Sequence, residues 1–277
     1  MEAQTYCWIC KQVANSAEHR IKKSDLVNLH GSGSYKGENA LVLIRERKEF
    51  PIQGPNSKVV KYKKNLCAKC NNNFSQPFDK AYESFVAYLL QNEDVVLKRR
   101  FIDFKEIYGD EFEVGQRNLY KYFVKSFGCR LANDGYPIPE DLPALLPKRR
   151  FRTRLRITLS VHEDFLLPPE GIKILGNGPL MTLFPLQETR PTWLEKWRAK
   201  KYGRTRPLEY RCSENFKWLY VWYWYNIPPD GRLGSTWIAD SQYVYLGSHE
   251  VLSDEEKQKL SGQPIDLNGN TTKVPEI

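Results

Sequence analysis

Two short stretches, Cys7-Trp8-Ile9-Cys10 and Cys67-Ala68-Lys69-Cys70, decide how the N-terminal part of the chain folds. Each stretch has the C-x-x-C spacing that supplies two thiolates to a tetrahedral zinc ion. Together they predict a structural zinc site with four cysteine ligands. The 56 residues from 11 to 66 would then form a loop whose ends share one metal ion. Any residue beside one cysteine pair is thereby held close to the other pair.

Side chains suited to hydrolysis flank the two cysteine pairs. Glu18 and His19 follow the first pair, and Asn71 directly follows the second. Neighbouring residues of a strand point to opposite faces, so Glu18 could bind a hard cation while His19 reaches for a water molecule. The amide oxygen of Asn71 would be a second hard ligand. We expect an open site for Mg²⁺ or Mn²⁺ here; the alternative is an exposed acid and histidine satisfied by solvent.

Composition limits the classes of function. The 277 residues carry 42 Lys and Arg against 33 Asp and Glu, and the resulting net charge of +9 favours a polyanionic partner. No apolar run reaches the roughly 18 residues that cross a bilayer, and no secretory signal is visible, so we expect a cytoplasmic protein without a membrane partner. Cys129 and Cys212 lie outside the two pairs, and for each of them we expect a small buried side chain.

The pattern of apolar residues predicts an α+β fold. Strands are expected over 40–45 and 58–62, and the three- and four-residue spacing of apolar side chains predicts helices over 78–100 and 116–130. The aromatic stripe of the second helix indicates core packing. The run Phe216 to Tyr225 is apolar on both faces, which is typical of a central buried strand.

The order of these elements predicts three parts of the chain. Residues 1–147 would form a zinc-stapled core followed by helices, and the proline-spaced stretch from Pro137 to Pro147 would end this part. Residues 148–252 would form a β-rich domain that recognises the substrate. Residues 253–277 would be a C-terminal tail with a short helix near 254–260.

Basic residues suggest where a phosphate backbone could bind. On a strand, alternate arginines after Lys148 would share one face at intervals of roughly 6 to 7 Å, with a solvated outer face as the alternative. Basic residues also follow His19 directly, and the segment from Trp193 to Arg211 mixes basic and aromatic side chains. The candidate phosphate contacts are Arg20, Lys22, Lys23, Arg150, Arg152, Arg154 and Arg156.

One constellation of residues resembles the HNH endonuclease family, whose ββα-metal core is often supported by a four-cysteine zinc site. It consists, in chain order, of Cys7, Cys10, Glu18, His19, Asn65, Cys67, Cys70 and Asn71. The resemblance implies that His19 is the general base and that Glu18 and Asn71 hold the catalytic metal. It also implies that Asn65 orients the histidine. The following stretch from Ser75 to Tyr82 looks specific, but the sequence alone attaches no chemical role to it.

The resemblance implies a metal-dependent endonuclease that hydrolyses DNA, with restriction or defence against phage as its setting. Two alternatives stay open at this point. One is a catalytically inactive zinc-knuckle module that binds DNA or RNA. The other is a sensor nuclease that is gated by a ligand. A homodimer or an accessory defence protein is left open as a further partner.

Overall fold

A computed structural model describes residues 5–37, 40–45, 48–162, 175–177, 181–182 and 208–248. Three regions of the sequence analysis fall elsewhere. The tail 253–277, its expected short helix, and most of the segment from Trp193 to Arg211 lie outside the described residues.

The N-terminal part is built from short pieces held together by backbone hydrogen bonds. The segment 16–20 runs antiparallel to 60–66, with bridges between Ser16 and Leu66 and between His19 and Lys61. Helix α1, Lys23–His30, follows this segment. Strands β1, Leu41–Arg45, and β2, Lys48–Ile52, then form an antiparallel hairpin.

The helical layer starts at the second cysteine pair. A π-helical turn, Lys69–Phe74, leads into α2, Gln76–Gln91, which has Pro77 in its first turn. Proline is tolerated there because the first amides of a helix have no partner within the helix. The elements that follow are α3, Glu93–Arg99; β3, Phe101–Asp103; α4, Phe104–Tyr108; α5, Phe112–Asn133; and α6, Asp141–Leu145.

A seven-stranded sheet makes up the second half of the described chain. Its strands are β4, Leu155–Val161; β5, Leu175–Asn177; β6, Met181–Thr182; β7, Tyr210–Phe216; β8, Leu219–Tyr225; β9, Thr236–Trp237; and β11, Gly247–Ser248. The order is β11-β4-β8-β7-β5, while β6 pairs with β7 and β9 with β4. Strand β10, Tyr243–Tyr245, instead pairs with β3 beside the helices.

Helix α5 lies between the sheet and the rest of the molecule. On one side the ring of Phe127 stacks on Tyr223 of β8 at 5.5 Å. On another side the ring of Tyr122 stacks on Tyr82 of α2 at 4.0 Å. A helix that is covered all round needs apolar residues on every face, which explains the aromatic stripe. The larger of two hydrophobic clusters therefore extends from Cys7 to Leu246, while the smaller one lies around α1 and β2.

The first cysteine pair, Cys7 and Cys10, is anchored on α5 through Trp8. Its indole nitrogen donates to the sulfur of Cys129 at 3.3 Å, and its ring covers Gly128. A Cβ at Gly128 would lie only 2.4 Å from that ring, so glycine is required for this approach. The position of the first cysteine pair is thereby fixed relative to the helical layer.

The structure confirms some of the expected elements and corrects others. The mixed helix and sheet architecture is confirmed, and Cys129 and Cys212 are buried as expected. The helix expected over 78–100 is two helices, because the chain bends at Asn92. The expected strand 58–62 is wrong: Lys58–Val60 is a 3₁₀ turn, and β1 pairs instead with β2.

Two further findings concern the second half of the chain. The expected central buried strand is confirmed as β8, which lies between β4 and β7, but it begins at Leu219, after a turn at Lys217 and Trp218. The proline-spaced stretch contains the short helix α6, whose Leu142 and Leu145 are buried. Proline at the third position of α6 costs little, because its missing amide hydrogen would lack a helical partner there.

Among the described residues, no helix combines the length and apolarity that crossing a membrane requires.

Asp25 on α1 is an ionisable group enclosed by the fold. It is 4% exposed, accepts a hydrogen bond of 2.7 Å from the hydroxyl of Tyr82, and lines a cavity of about 40 Å³. Burial raises the pKa of its carboxyl group to about 7, although the Tyr82 hydroxyl and the Lys22 ammonium act in the opposite direction. The folded state therefore favours the protonated acid up to neutral pH.

We predict that Asp25→Asn changes the pH dependence of stability. A folded pKa above the unfolded value stabilises the wild type at low pH, and this contribution disappears as the pH rises to about 7. The free energy of unfolding of the wild type should fall, relative to the variant, by about 1.4 kcal/mol per pH unit between about pH 4 and 7. Denaturant unfolding at several pH values measures this difference, and a difference independent of pH would contradict the prediction.

Candidate functional site

The four cysteines of the two pairs converge in the structure. Their sulfur atoms all lie within 4.8 Å of one another, and the sulfurs of Cys10 and Cys67 are 3.6 Å apart. Four sulfurs at about 2.3 Å from a zinc ion would have a similar spacing. Burial raises the pKa of the thiols of Cys7 and Cys70, so a metal ion is needed to hold them as thiolates. The donor set fits a structural zinc ion.

Each cysteine pair lies on a tight turn with its own hydrogen bonds. In the first, the amide of Cys7 donates to the carbonyl of Gln12 at 2.7 Å, and Lys11 adopts a φ of 64° to close the turn. In the second, the amide of Cys70 donates to the sulfur of Cys67 at 3.4 Å. These turns direct the sulfurs of each pair toward a common centre.

Glu18 is held by a buried lysine. The carboxylate is 9% exposed, and its Oε2 lies 2.8 Å from the ammonium of Lys125 on α5. One oxygen of this candidate ligand is therefore fixed by an ion pair.

His19 lies beside Glu18 in the segment that runs along residues 60–66. Its ring atom Nε2 is buried without a hydrogen-bond partner in the described part of the chain. Burial lowers the pKa of the imidazole, and the nearby ammonium of Lys61 lowers it further, while the carboxylate of Glu18 acts in the opposite direction. The ring is thus neutral at pH 7, as a proton acceptor or a metal ligand must be.

Asn71 lies in the π-helical turn after the second cysteine pair. Its backbone amide donates to the carbonyl of Cys67 at 3.0 Å, and its side-chain nitrogen donates to the hydroxyl of Ser16 at 2.9 Å. Its side-chain oxygen Oδ1 is buried, and no described residue donates to it. The contact with Ser16 places this turn against the segment that carries Glu18 and His19.

Asn65 makes a contact that the sequence analysis did not anticipate. Its amide nitrogen donates to the carbonyl of Cys129 on α5 at 2.7 Å, and its own carbonyl accepts from the amide of Trp8 at 3.1 Å. No hydrogen bond joins Asn65 to His19 within the described ranges. In this structure Asn65 connects the two cysteine regions to α5, and a role in orienting His19 stays a prediction.

The three basic residues after His19 have different surroundings. The ammonium of Lys22 forms salt bridges to Asp79 at 3.1 Å and to Glu83 at 3.4 Å, and its side chain is only 12% exposed. Arg20 lies over the ring of Tyr62 at 4.9 Å. Lys23 is exposed at the start of α1. Of the three, Lys23 is the most accessible to a phosphate, while Lys22 is occupied by acids of α2.

The four alternate arginines from Arg150 to Arg156 are exposed as expected, but three of them precede strand β4. β4 begins only at Leu155, so Arg156 alone of the four lies within a strand. None of the four forms a salt bridge with another described residue. The exposed members are Arg150, Arg152, Arg154 and Arg156.

The same face of the sheet carries an aromatic row that the sequence analysis did not assign to a site. Trp224 of β8 lies in register between Arg156 of β4 and Arg211 of β7. The guanidinium of Arg211 lies over the rings of Trp222 and Trp224 at 5.2 and 4.8 Å. The alternation of aromatic residues in β8 could have signalled such a row, but the sequence does not show which strands flank it.

A buried cluster beside Glu18 was also missed. Lys125 contacts Ser75 and Asp79 at the start of α2 as well as Glu18. The sequence offered two indications of this cluster. Lys125 interrupts an apolar stretch of α5, and Ser75 and Asp79 are four residues apart, as neighbours on one helix face are. Only the fold shows that these residues meet.

Comparisons of the chain with protein-family models, curated proteins and solved structures found no match. The likeness to HNH endonucleases therefore rests on this chain's own residues. A four-cysteine cluster alone does not define that family.

Glu18 and Asn71 carry the oxygen donors that a second divalent ion would need. The candidate donor atoms are the carboxylate oxygens of Glu18 and Oδ1 of Asn71, and Oδ1 of Asn71 has no partner among the described residues. Carboxylate and amide oxygens are the ligands that Mg²⁺ and Mn²⁺ prefer. With only two ligands from the protein, other positions stay open for water and phosphate oxygens.

We predict that Cys67→Ser removes the structural zinc ion. The purified wild type should contain one zinc per chain, whereas the variant should contain less and unfold at a lower temperature, because zinc binding contributes to folding directly. Elemental analysis and thermal unfolding measure both effects. Cys212→Ala is the matched control, since this buried cysteine lies outside the cluster and its loss should leave the zinc content unchanged. Equal zinc contents in all three proteins would contradict the prediction.

Proposed function

We propose that this protein is a divalent-metal-dependent endonuclease of the HNH type that hydrolyses phosphodiester bonds in DNA. The observation that carries the proposal is that Nε2 of His19 and Oδ1 of Asn71, on adjoining segments, are buried without partners among the described residues, a state that Oδ1 of Asn65 and the hydroxyl of Tyr62 share. Buried polar atoms are nearly always hydrogen-bonded, and exceptions call for an explanation such as an absent water or ion. A water molecule at His19 and a metal ion at Asn71 would satisfy both atoms.

Each residue has a defined role in this proposal. The neutral imidazole of His19 takes the proton of the attacking water, and burial of the ring keeps it neutral at physiological pH. Glu18 and Asn71 would hold Mg²⁺ or Mn²⁺, which stabilises the charge that develops on the phosphate and on the leaving oxygen. The four cysteines hold the structural zinc ion. They keep the turn of Asn71 against the segment of Glu18.

The charge distribution supports DNA as the partner. Lys23 is exposed beside the candidate site, and four exposed arginines precede or begin β4. Basic side chains without acidic partners bind phosphate by releasing counterions. Arg211 and the partly exposed Trp222 beside it add a cationic and an aromatic side chain of the kinds that contact nucleic acid. Restriction or phage defence is the biological setting that the resemblance suggests.

One observation favours a second candidate, a zinc-dependent nucleic-acid-binding module without catalysis. The ammonium of Lys125 already neutralises the carboxylate of Glu18, and a neutralised carboxylate attracts a divalent ion less strongly. The basic surface would serve binding in either case. The two candidates therefore differ in whether DNA is cut.

We predict that His19→Ala abolishes metal-dependent DNA cleavage. The wild type should nick supercoiled plasmid in the presence of Mg²⁺ or Mn²⁺. Loss of the general base should lower the rate by about 100- to 10,000-fold. DNA binding and zinc content should be unchanged, because His19 belongs to neither function in this proposal. Gel analysis of plasmid nicking measures the rate.

His30→Ala is the control, because His30 ends α1 and packs its ring 6.2 Å from that of Tyr35, outside the proposed machinery. Its cleavage rate should equal that of the wild type. If the wild type binds DNA but cuts no form of it, modified DNA included, the binding module replaces the nuclease.

A further inference from the structure

Lys125 is a buried cation whose hydrogen-bonding capacity is fully used. Its side chain is 1% exposed, and an ammonium group has three donors. Its partners are the carboxylate of Glu18 at 2.8 Å, the hydroxyl of Ser75 at 3.1 Å and the carboxylate of Asp79 at 3.1 Å. A buried lysine is retained only when such partners offset the loss of hydration. This set of acceptors therefore fixes the ammonium in one position.

These contacts connect the two segments that carry the candidate metal ligands. The hydroxyl of Ser75 binds Lys125 and also donates to the backbone carbonyl of Asn71 at 2.7 Å. Glu18, Lys125, Ser75 and Asn71 thus form a continuous hydrogen-bonded chain. Asp79 closes the arrangement, since its carboxylate accepts from the ammonium of Lys125 at 3.1 Å and pairs with Lys22. The stretch from Ser75 to Tyr82, which had no role in the sequence analysis, supplies the central links.

We propose that Lys125 is the positioning residue of the candidate nuclease site. By holding Oε2 of Glu18, it presents Oε1 as a single-oxygen ligand, and through Ser75 it sets the distance between Glu18 and the turn of Asn71. This inference rests on the proposed nuclease function and adds residues that the HNH resemblance does not name. Lys125 touches neither substrate nor metal in this role; it acts through Glu18 and Ser75.

A positioning role and a simple charge role have opposite consequences for metal binding. If Lys125 only neutralised nearby acids, its removal would strengthen divalent binding, because a repulsive cation would be gone. If Lys125 orients Glu18, its removal weakens binding, since partners of metal ligands typically contribute 10- to 100-fold to affinity. The direction of the change therefore decides between the two roles.

We predict that Lys125→Met weakens Mn²⁺ binding at the second site by about 10- to 100-fold. The dissociation constant is measured on the zinc-loaded full chain from the electron paramagnetic resonance signal of free Mn²⁺. In a Glu18→Gln background, Lys125→Met should cause a smaller loss than in the wild type, because only the link through Ser75 is left to remove. Lys121→Met is the matched control: Lys121 lies one turn earlier on α5, is also buried, and contacts the ring of Phe78 instead.

Two milder variants keep the test valid if Lys125→Met does not fold. Ser75→Ala removes the link to Asn71, and Lys125→Arg keeps the charge but changes the geometry. Both should weaken Mn²⁺ binding while zinc content and melting temperature stay near the wild type. Unchanged or tighter Mn²⁺ binding in the folded variants would overturn the positioning role. If the wild type itself neither binds a second ion nor cuts DNA, the proposed function fails instead.

Discussion

The convergence of four cysteine sulfurs is the constraint on which the rest of the structure depends. It joins residues 7–10 to residues 67–70 and closes the segment between them into a loop. Closing a loop of this length costs conformational entropy, which coordination of a metal ion by the four sulfurs would offset. Because Trp8 packs on Gly128 and Asn65 binds the carbonyl of Cys129, the same cluster is fixed against α5. The candidate site lies where these three regions meet.

The sequence predicted those features that depend on local spacing. The two C-x-x-C pairs identified the cysteine cluster before any fold was known, and the apolar periodicity located the main helices. Both signals are strong because the ligand spacing of a zinc site and the pitch of a helix are fixed by geometry. The same local argument placed Glu18, His19 and Asn71 close to the cluster, and the contact between Asn71 and Ser16 agrees with that placement.

The sequence did not predict contacts between distant segments. Lys125 lies 107 positions after Glu18, and nothing in the local pattern around either residue indicates that they form an ion pair. Lys22 looked available for phosphate because it is charged and follows His19, but the acids that occupy it lie on α2, far along the chain. The prediction of a strand over 58–62 was wrong for a related reason, because the partners of this stretch are distant in sequence. The backbone partners of this stretch include Glu18 and Arg20, and it forms one isolated bridge, between His19 and Lys61, in place of a strand.

The central claim is that the zinc cluster holds Glu18 and Asn71 together as ligands of a hydrolytic metal ion. Anomalous X-ray diffraction from crystals of the zinc-loaded protein soaked in Mn²⁺ tests this claim most directly. The account predicts a zinc peak among the four cysteine sulfurs and a separate manganese peak in contact with the carboxylate of Glu18 and with Oδ1 of Asn71. A manganese peak away from both residues, or none at all beside an occupied zinc site, would contradict it.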